Sequence, residues 1–265
     1  MVSIQPPPPA AARREQILSS IDEQGFVRVT ELSRRFGISE VTVRADLDAL
    51  AQSSAVLRIH GGAVPASRPA GLERPFEQSA LAASDEKARI GRAAAALVES
   101  DQAVVLDVGT TTTAIAMALL ARDDLHNVVI ITNALNIALA LEPVIPRFTV
   151  IVTGGTLRPL QHSLVDPLAS VVLDQVRGDL VFIGCSGVDA AAGVTNVNLP
   201  EADMKRRMLA TAARRVVVAD SSKLGVAQLS RVVPLDGVDS LITGSEADPA
   251  QLERLVAAGL HILTA

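Results

Sequence analysis

Several short apolar runs of this 265-residue chain end in small polar or charged residues. They read Leu106-Asp107-Val108-Gly109-Thr110-Thr111-Thr112, Ile131-Thr132-Asn133, Val152-Thr153-Gly154-Gly155, Ile183-Gly184-Cys185-Ser186-Gly187-Val188-Asp189 and Val218-Ala219-Asp220-Ser221-Ser222-Lys223. In an open parallel sheet, ligands bind outside the carboxyl ends of the strands. Such ends, brought together, would pool hydroxyls, backbone N–H groups and carboxylates. The Gly109–Thr112 stretch leads into a helix expected over Thr112–Leu120, and backbone N–H groups and hydroxyls at a helix start suit an anion. It lacks the Gly-Lys-Ser/Thr of a phosphate-binding loop and is not Gly-x-Gly-x-x-Gly. A capped helix start explains the same residues. Lys205 and Lys223 supply positive charge, and Asp107, Asp189, Glu201 and Asp220 supply acceptors for sugar hydroxyls. The combination favours a polyol carrying phosphate. With no Trp or Tyr to stack on a base, a nucleotide is disfavoured.

A second set of residues lies upstream. Ser39 caps a helix predicted over Glu40–Gln52, with Val43, Leu47 and Leu50 at i, i+4 and i+7 as its buried stripe. At about 100° per residue, Val41, Ala45 and Asp48 then face outward, flanked by Thr42 and Arg44. Exposed Val and Ala suit thymine methyl groups in a major groove, Thr42 a phosphate or base edge, and Arg44 a phosphate or guanine. Arg34 and Arg35 precede the Phe36-Gly37-Ile38-Ser39 turn and could hold the flanking DNA backbone. Arg58 and His60 alternate before Gly61-Gly62 and would project from one face of a hairpin wing. An ordinary helical domain with solvated arginines is the bland alternative.

The elements that must position these groups follow from periodicity. Residues 1–12 read as a disordered Pro-rich leader. Helices are expected over Arg13–Ile21, closed by Gly25, and over Glu31–Phe36, capped by Thr30. Together with the helix over 40–52 and a hairpin over 57–64, they make a winged helix-turn-helix domain spanning 13–64. Residues 65–78, with three prolines, form the expected linker. From 79 to 265, Val/Ile-rich runs apolar on both faces alternate with helix-like stretches, the pattern of a mostly parallel α/β sheet sandwiched by helices.

The wording of both regions resembles the DeoR family of bacterial transcriptional regulators. Ser39-Glu40-Val41-Thr42-Val43-Arg44-Ala45-Asp46-Leu47 and Arg58-Ile59-His60-Gly61-Gly62-Ala63 are similar to that family's recognition helix and wing. Asp-x-Gly-Thr-Thr-Thr at 107–112, Ile-Thr-Asn at 131–133, Thr-Gly-Gly-x-Leu-Arg at 153–158, Gly-Val-Asp at 187–189, Glu-Ala-x-x-Lys at 201–205 and Ala-Asp-Ser-Ser-Lys at 219–223 resemble its effector domain, in the same order. The resemblance implies DNA contacts from Arg34, Ser39, Val41, Thr42, Arg44, Ala45, Arg58 and His60. It implies effector contacts from Asp107, Gly109, Thr110, Thr111, Thr112, Asn133, Gly154, Gly155, Gly187, Asp189, Glu201, Lys205, Asp220 and Lys223. It also implies a Rossmann-like effector fold resembling ribose-5-phosphate isomerase and a repressor answering to a phosphorylated sugar. Ala45, where a second Arg is frequent, and Asp166 and Gly244, where Gly and Asp are common, depart from the pattern.

Composition bounds the rest. The 49% hydrophobic content rules out bulk disorder, and the single Cys185 rules out an intrachain disulfide, so a cytoplasmic protein is expected. No apolar run is long enough for a bilayer, and the N-terminus lacks a secretory pattern. Cys185 reads as a small core residue, and the four scattered histidines support no metal site. No cofactor is implied. Net charge is +1 over residues 1–72 and −6 over 73–265. A near-neutral reading head cannot hold DNA tightly by charge alone, so a dimer or tetramer assembled through the acidic body is expected. Two other functions compete: a sugar-phosphate isomerase using Asp189 or Glu201 as base with Lys205, and a constitutive DNA binder whose second domain only oligomerises.

Overall fold

The computed structural model describes residues 8–24, 26–53, 55–59, 61–65 and 73–265. Gly25, His60 and residues 66–72 of the expected linker lie outside them. The described chain falls into two compact units, one extending to Leu81 and one from Ala82 to Ala265.

The first unit contains α1 (Ala10–Gln24), β1 (Val27–Arg28), α2 (Val29–Phe36), α3 (Glu40–Gln52), β2 (Val56–Ile59), β3 (Gly62–Pro65) and α4 (Phe76–Leu81). Helix α1 begins inside the stretch read as leader, and α4 begins inside the stretch read as linker and runs past its end. The reading of Thr30 as a cap is corrected: α2 starts at Val29, and Arg28 precedes it without a side-chain cap. Burial decides this start. Val27 and Val29 both join the core with Ile17, Ile21, Leu32 and Leu47, so the chain turns directly from strand to helix. Gly37 ends α2 at φ 62°, a left-handed conformation that costs glycine least, and its N–H donates to the Ser33 carbonyl. Strand β3 lies between β1 and β2, antiparallel to both.

The second unit opens with α5 (Ser84–Ala95), β4 (Ala103–Leu106), α6 (Thr110–Leu120) and β5 (Val128–Thr132). Then come α7 (Leu135–Ala140), β6 (Phe148–Val152) and an antiparallel ribbon of β7 (Thr156–Arg158) and β8 (Ser163–Val165). Next are α8 (Leu168–Leu173), β9 (Gly178–Ile183), β10 (Gly187–Asp189) and β11 (Gly193–Asn196). The last elements are α9 (Leu199–Thr211), β12 (Ala212–Val218), β13 (Ser230–Val233), β14 (Ser240–Thr243), α10 (Pro249–Ala257) and β15 (Ile262–Thr264).

Seven strands form one sheet in the order β15-β14-β12-β9-β4-β5-β6, every pair parallel. Alternate residues of each strand enter opposite cores. Val104 and Leu106 pack with Ile90, Ile115 and Ile137 of α5, α6 and α7. Val105 packs with Leu173, Met208 and Leu255 of α8, α9 and α10. Both faces are therefore covered, which is why these strands read as continuous apolar runs. A small antiparallel sheet, β10-β11-β13, was not legible in advance, because strands of three or four residues carry too little alternation.

The topology fixes where a ligand can lie. Chain connections from β4 run one way to β5 and β6, and those from β9 run the other way to β12, β14 and β15. Neighbouring β4 and β9 thus flank the point where the winding reverses, and the crevice opens at their carboxyl ends. Asp107 follows β4 and Gly184 follows β9.

Candidate functional site

In the first unit, α3 is held from beneath. Val43, Leu47 and Leu50 are buried as expected, and Asp46 is buried with them. Its carboxylate accepts from Arg13 Nε at 2.6 Å and Arg14 Nε at 3.0 Å, tying α3 to α1. Burial raises the Asp46 pKa, but the two guanidinium groups more than offset this and hold it below the usual carboxylate value. The sequence reading assigned Asp46 no role. Its signal was available: a carboxylate at i+3 from Val43, inside the apolar stripe.

The opposite side of α3 is free. Val41 is 73% exposed, and Arg44, Ala45 and Asp48 are exposed beside it. Ser39 Oγ accepts from the Thr42 N–H at 3.1 Å and lies 2.9 Å from Thr42 Oγ1. Arg44 donates to Glu40 at 2.7 Å, and Arg58 pairs with Asp48 at 2.9 Å. Arg58 is thus directed at α3 itself. Arg34 donates to the Thr30 carbonyl at 3.3 Å on the surface of α2, whereas Arg35 is used to bind Ser20. His60 falls outside the described residues.

In the second unit, Asp107 is completely buried. One carboxylate oxygen accepts from Lys205 Nζ and, at 3.1 Å, from the Gly184 N–H. The other, Oδ1, is buried without a hydrogen-bond partner. Burial pushes the carboxyl up to about 6, against the pull of Lys205 and Gly184. Burial likewise opposes the charge on Lys205, yet Asp107 and Glu201 outweigh it and hold the ammonium above its ordinary value. Glu201 accepts from Arg158 and, at 2.7 Å, from Ser163 Oγ, joining the β7–β8 ribbon to α9. Neither Arg158 nor Ser163 was singled out as a site residue.

The nearby loops are shaped by hydrogen bonds of their own. Helix α6 starts two residues earlier than predicted, at Thr110, with Gly109 before it. Thr112 and Thr113 hydroxyls donate back to the Gly109 carbonyl. Asn133 accepts from the Val108 N–H and donates to the Leu164 carbonyl, linking the ends of β4, β5 and β8. Gly155, at φ 117°, lies so close to the Val165 carbonyl that a Cβ would sit 2.3 Å from it. Gly187 opens β10, and Gly154 lies in the turn before β7. Asp220 accepts from the Ser222 N–H at 3.2 Å and lies 3.8 Å from Lys87 Nζ. Glu86 accepts from the Ser221 N–H at 2.6 Å. Buried Glu86 and Lys87 were missed, although Lys87 stands at i and i+3 with Ile90 on the apolar stripe of α5. Asp189 is placed differently from the other acids. Its carboxylate accepts from the Ala191 and Ala192 N–H groups of its own hairpin turn, and these bonds lower its pKa.

Cys185 sits between these charges. Burial pushes its thiol up to about 12, although Lys205 and Lys223 pull it down. The side chain is nevertheless only half-buried, packed against the core beneath β9. Alkylation by iodoacetamide at pH 8 is expected to be roughly 10-fold or more slower than for free cysteine, because the thiol stays protonated; equal rates would contradict this. Among the described residues, no group of His, Cys, Asp and Glu could hold a metal ion, and no helix is long and apolar enough to cross a membrane.

Known proteins share both regions. Residues 13–68 match the model of the DeoR-like helix-turn-helix domain, and residues 82–245 match the DeoR C terminal sensor domain. The glycerol-3-phosphate regulon repressor of Escherichia coli K12 is 31% identical, over 86% of this chain and 88% of its own. The HTH-type transcriptional regulator GlpR of Haloferax volcanii is 32% identical, over 94% and 96%. Ribose 5-phosphate isomerase A from Methanocaldococcus jannaschii is similar over 54% of this chain and 55% of its own, at 17% identity and a TM-score of 0.41.

Proposed function

The chain belongs to the DeoR family of transcriptional regulators, and from that premise we propose that it represses a carbohydrate-metabolism operon under control of a phosphorylated sugar. The observation that carries the effector half is Asp107 Oδ1, a buried acceptor without a donor at the point where the sheet reverses its winding. An unsatisfied buried oxygen costs about 1–3 kcal/mol, which a ligand hydroxyl would recover. Lys205 holds the other oxygen in place. The free first-turn N–H groups of α6 and the ammonium of Lys223 favour an anion in the same crevice. Gly109, Thr110, Thr111, Asn133, Gly154, Gly155, Glu201 and Asp220 shape its walls under this reading.

The isomerase alternative needs an available base. Asp189 is occupied by its hairpin turn, and Glu201 by Arg158 and Ser163.

On the DNA side, Val41, Thr42 and Arg44 enter a major groove, with Ser39 at a phosphate and Arg34 on the flanking backbone. The assembly is a homo-oligomer whose paired heads raise the effective concentration of each. Effector binding that shifts operator affinity by roughly 5–150-fold corresponds to about 1–3 kcal/mol of coupling.

The test is a thermal-shift screen of phosphorylated sugars, sugar acids and amino sugars, followed by operator binding with each hit. A phosphorylated sugar should raise the melting temperature and change operator affinity. Lys223→Ala should blunt that response while leaving ligand-free DNA binding unchanged. Arg44→Ala should weaken operator binding about 10-fold or more and leave the effector shift intact. A screen in which no phosphorylated sugar stabilises the protein, or an unaltered operator affinity in Arg44→Ala, would refute the corresponding half.

A further inference from the structure

The face of α3 that would enter the groove carries two acids. Glu40, Arg44 and Asp48 stand at i, i+4 and i+8, so they form one strip along the helix. Arg58, arriving from β2, completes it. Each arginine is claimed by a carboxylate: Arg44 by Glu40 at 2.7 Å and Arg58 by Asp48 at 2.9 Å. All four side chains keep contact with solvent, with Glu40 42% and Asp48 59% exposed. A surface meant only to grip a polyanion has no use for such carboxylates. They cancel the arginine charge and repel phosphates.

We propose that Glu40 and Asp48 are specificity-determining residues that suppress binding to non-cognate duplex. The proposal rests on the DNA-binding reading of α3 and goes beyond it. On an arbitrary sequence, each arginine must leave its carboxylate to reach a phosphate, and the bare carboxylate then faces the DNA backbone unpaid. On the cognate sequence, the exchange is balanced: the arginines take guanine or phosphate acceptors, and the carboxylates accept from cytosine amino groups in the major groove. The acids therefore weaken the wrong complexes and leave the right one nearly unaffected, a repulsive element that creates discrimination.

The experiment compares the wild-type chain with Glu40→Gln, Asp48→Asn and the double variant. One probe is a mixed-sequence 30-base-pair duplex titrated over a range of salt. The other is the set of duplexes that the wild-type protein selects from a randomised pool. Unchanged melting temperatures confirm that the amide variants are folded. The double variant should bind mixed-sequence duplex roughly 10-fold more tightly at 0.1 M salt, with a slope of log K against log salt steeper by about one unit per arginine released. Its preference for the selected duplexes should fall by a similar factor. Glu31→Gln, which removes an exposed acid of α2, is the control for net charge. Mixed-sequence affinity and salt slope equal to wild type would overturn the proposal, as would an equal gain in Glu31→Gln. Failure of the wild-type chain to retain any duplex from the pool would be a separate result that removes the DNA-binding reading itself.

Discussion

Lys205→Met is expected to lower the melting temperature of the second unit by roughly 10 °C. The ammonium is buried, donates to Asp107, and is the one side-chain cation bonded to that carboxylate among the described residues. Removing one partner of a buried pair costs about 3–5 kcal/mol, because the remaining charge is stranded without solvent. In a unit of this size each kcal/mol shifts the transition by roughly 2–4 °C. Asp107→Asn alone strands the ammonium instead and should also destabilise. The double variant Asp107→Asn/Lys205→Met carries neither charge and should recover at least half of the loss. That non-additivity, read from calorimetry of the four proteins, is the signature of the pair. Simple addition of the two single effects would show that Lys205 acts independently of Asp107. Acid titration gives a second check. The folded value for Asp107, about 6, lies above its reference of 3.8. The associated stability is thus fully present below about pH 4 and is lost as pH rises through about 6. Without Lys205 the loss should be larger and extend to higher pH. Effector response should disappear in both single variants, since the carboxylate that would receive a ligand hydroxyl is displaced or replaced.

Asp46→Ala is expected to lower the melting temperature of the DNA-reading unit strongly while sparing the other. Its carboxylate holds Arg13 and Arg14, and the Arg13 guanidinium is itself nearly buried. Removal leaves a buried cation unpaired and cuts the tie between α1 and α3, at a cost of about 3 kcal/mol. For a unit of 64 described residues, this is a large share of the roughly 5–15 kcal/mol by which domains are stable. Operator binding should be lost at temperatures where the sensor transition and effector binding are unchanged. A single joint transition displaced to lower temperature would contradict the assignment. The pH dependence runs opposite to that of Asp107. The folded pKa of Asp46 is depressed, so its contribution is present above the reference value of 3.8 and lost as pH falls through the folded value. Asp46→Asn should therefore be less stable than wild type near neutrality and should lack this component of acid unfolding.

Much of this protein was decided by order along the chain. Strands apolar on both faces, alternating with helices, fix a covered parallel sheet, because a strand can bury both faces only if helices lie above and below it. The i, i+4, i+7 spacing of Val43, Leu47 and Leu50 sets which side of α3 faces outward, since a helix rotates by a constant angle per residue. The small and polar residues that follow Leu106, Ile183 and Val218 mark strand ends in the same way. These are local, periodic consequences of backbone geometry, and they can be read without knowing what each element touches.

Only the tertiary structure decided who partners whom. Asp107 and Lys205 are 98 residues apart, and Arg158 and Glu201 are 43 apart. Nothing periodic links such positions. The first pairing follows from a strand order in which β9 lies beside β4, with α9 packed on β9, and the second from the β7–β8 ribbon meeting α9. The same holds for Asp46 and Lys87, whose apolar stripes announced burial but not the opposite charges that make burial tolerable, and for Glu86, whose donors are the Ser221 N–H and hydroxyl. It holds for Asp189 too: its residue type suggested a ligand contact, and the hairpin that claims its carboxylate exists only once β11 folds back on β10. Side-chain charge is visible in a sequence, but its desolvation and its partner are set by chain segments that meet in three dimensions.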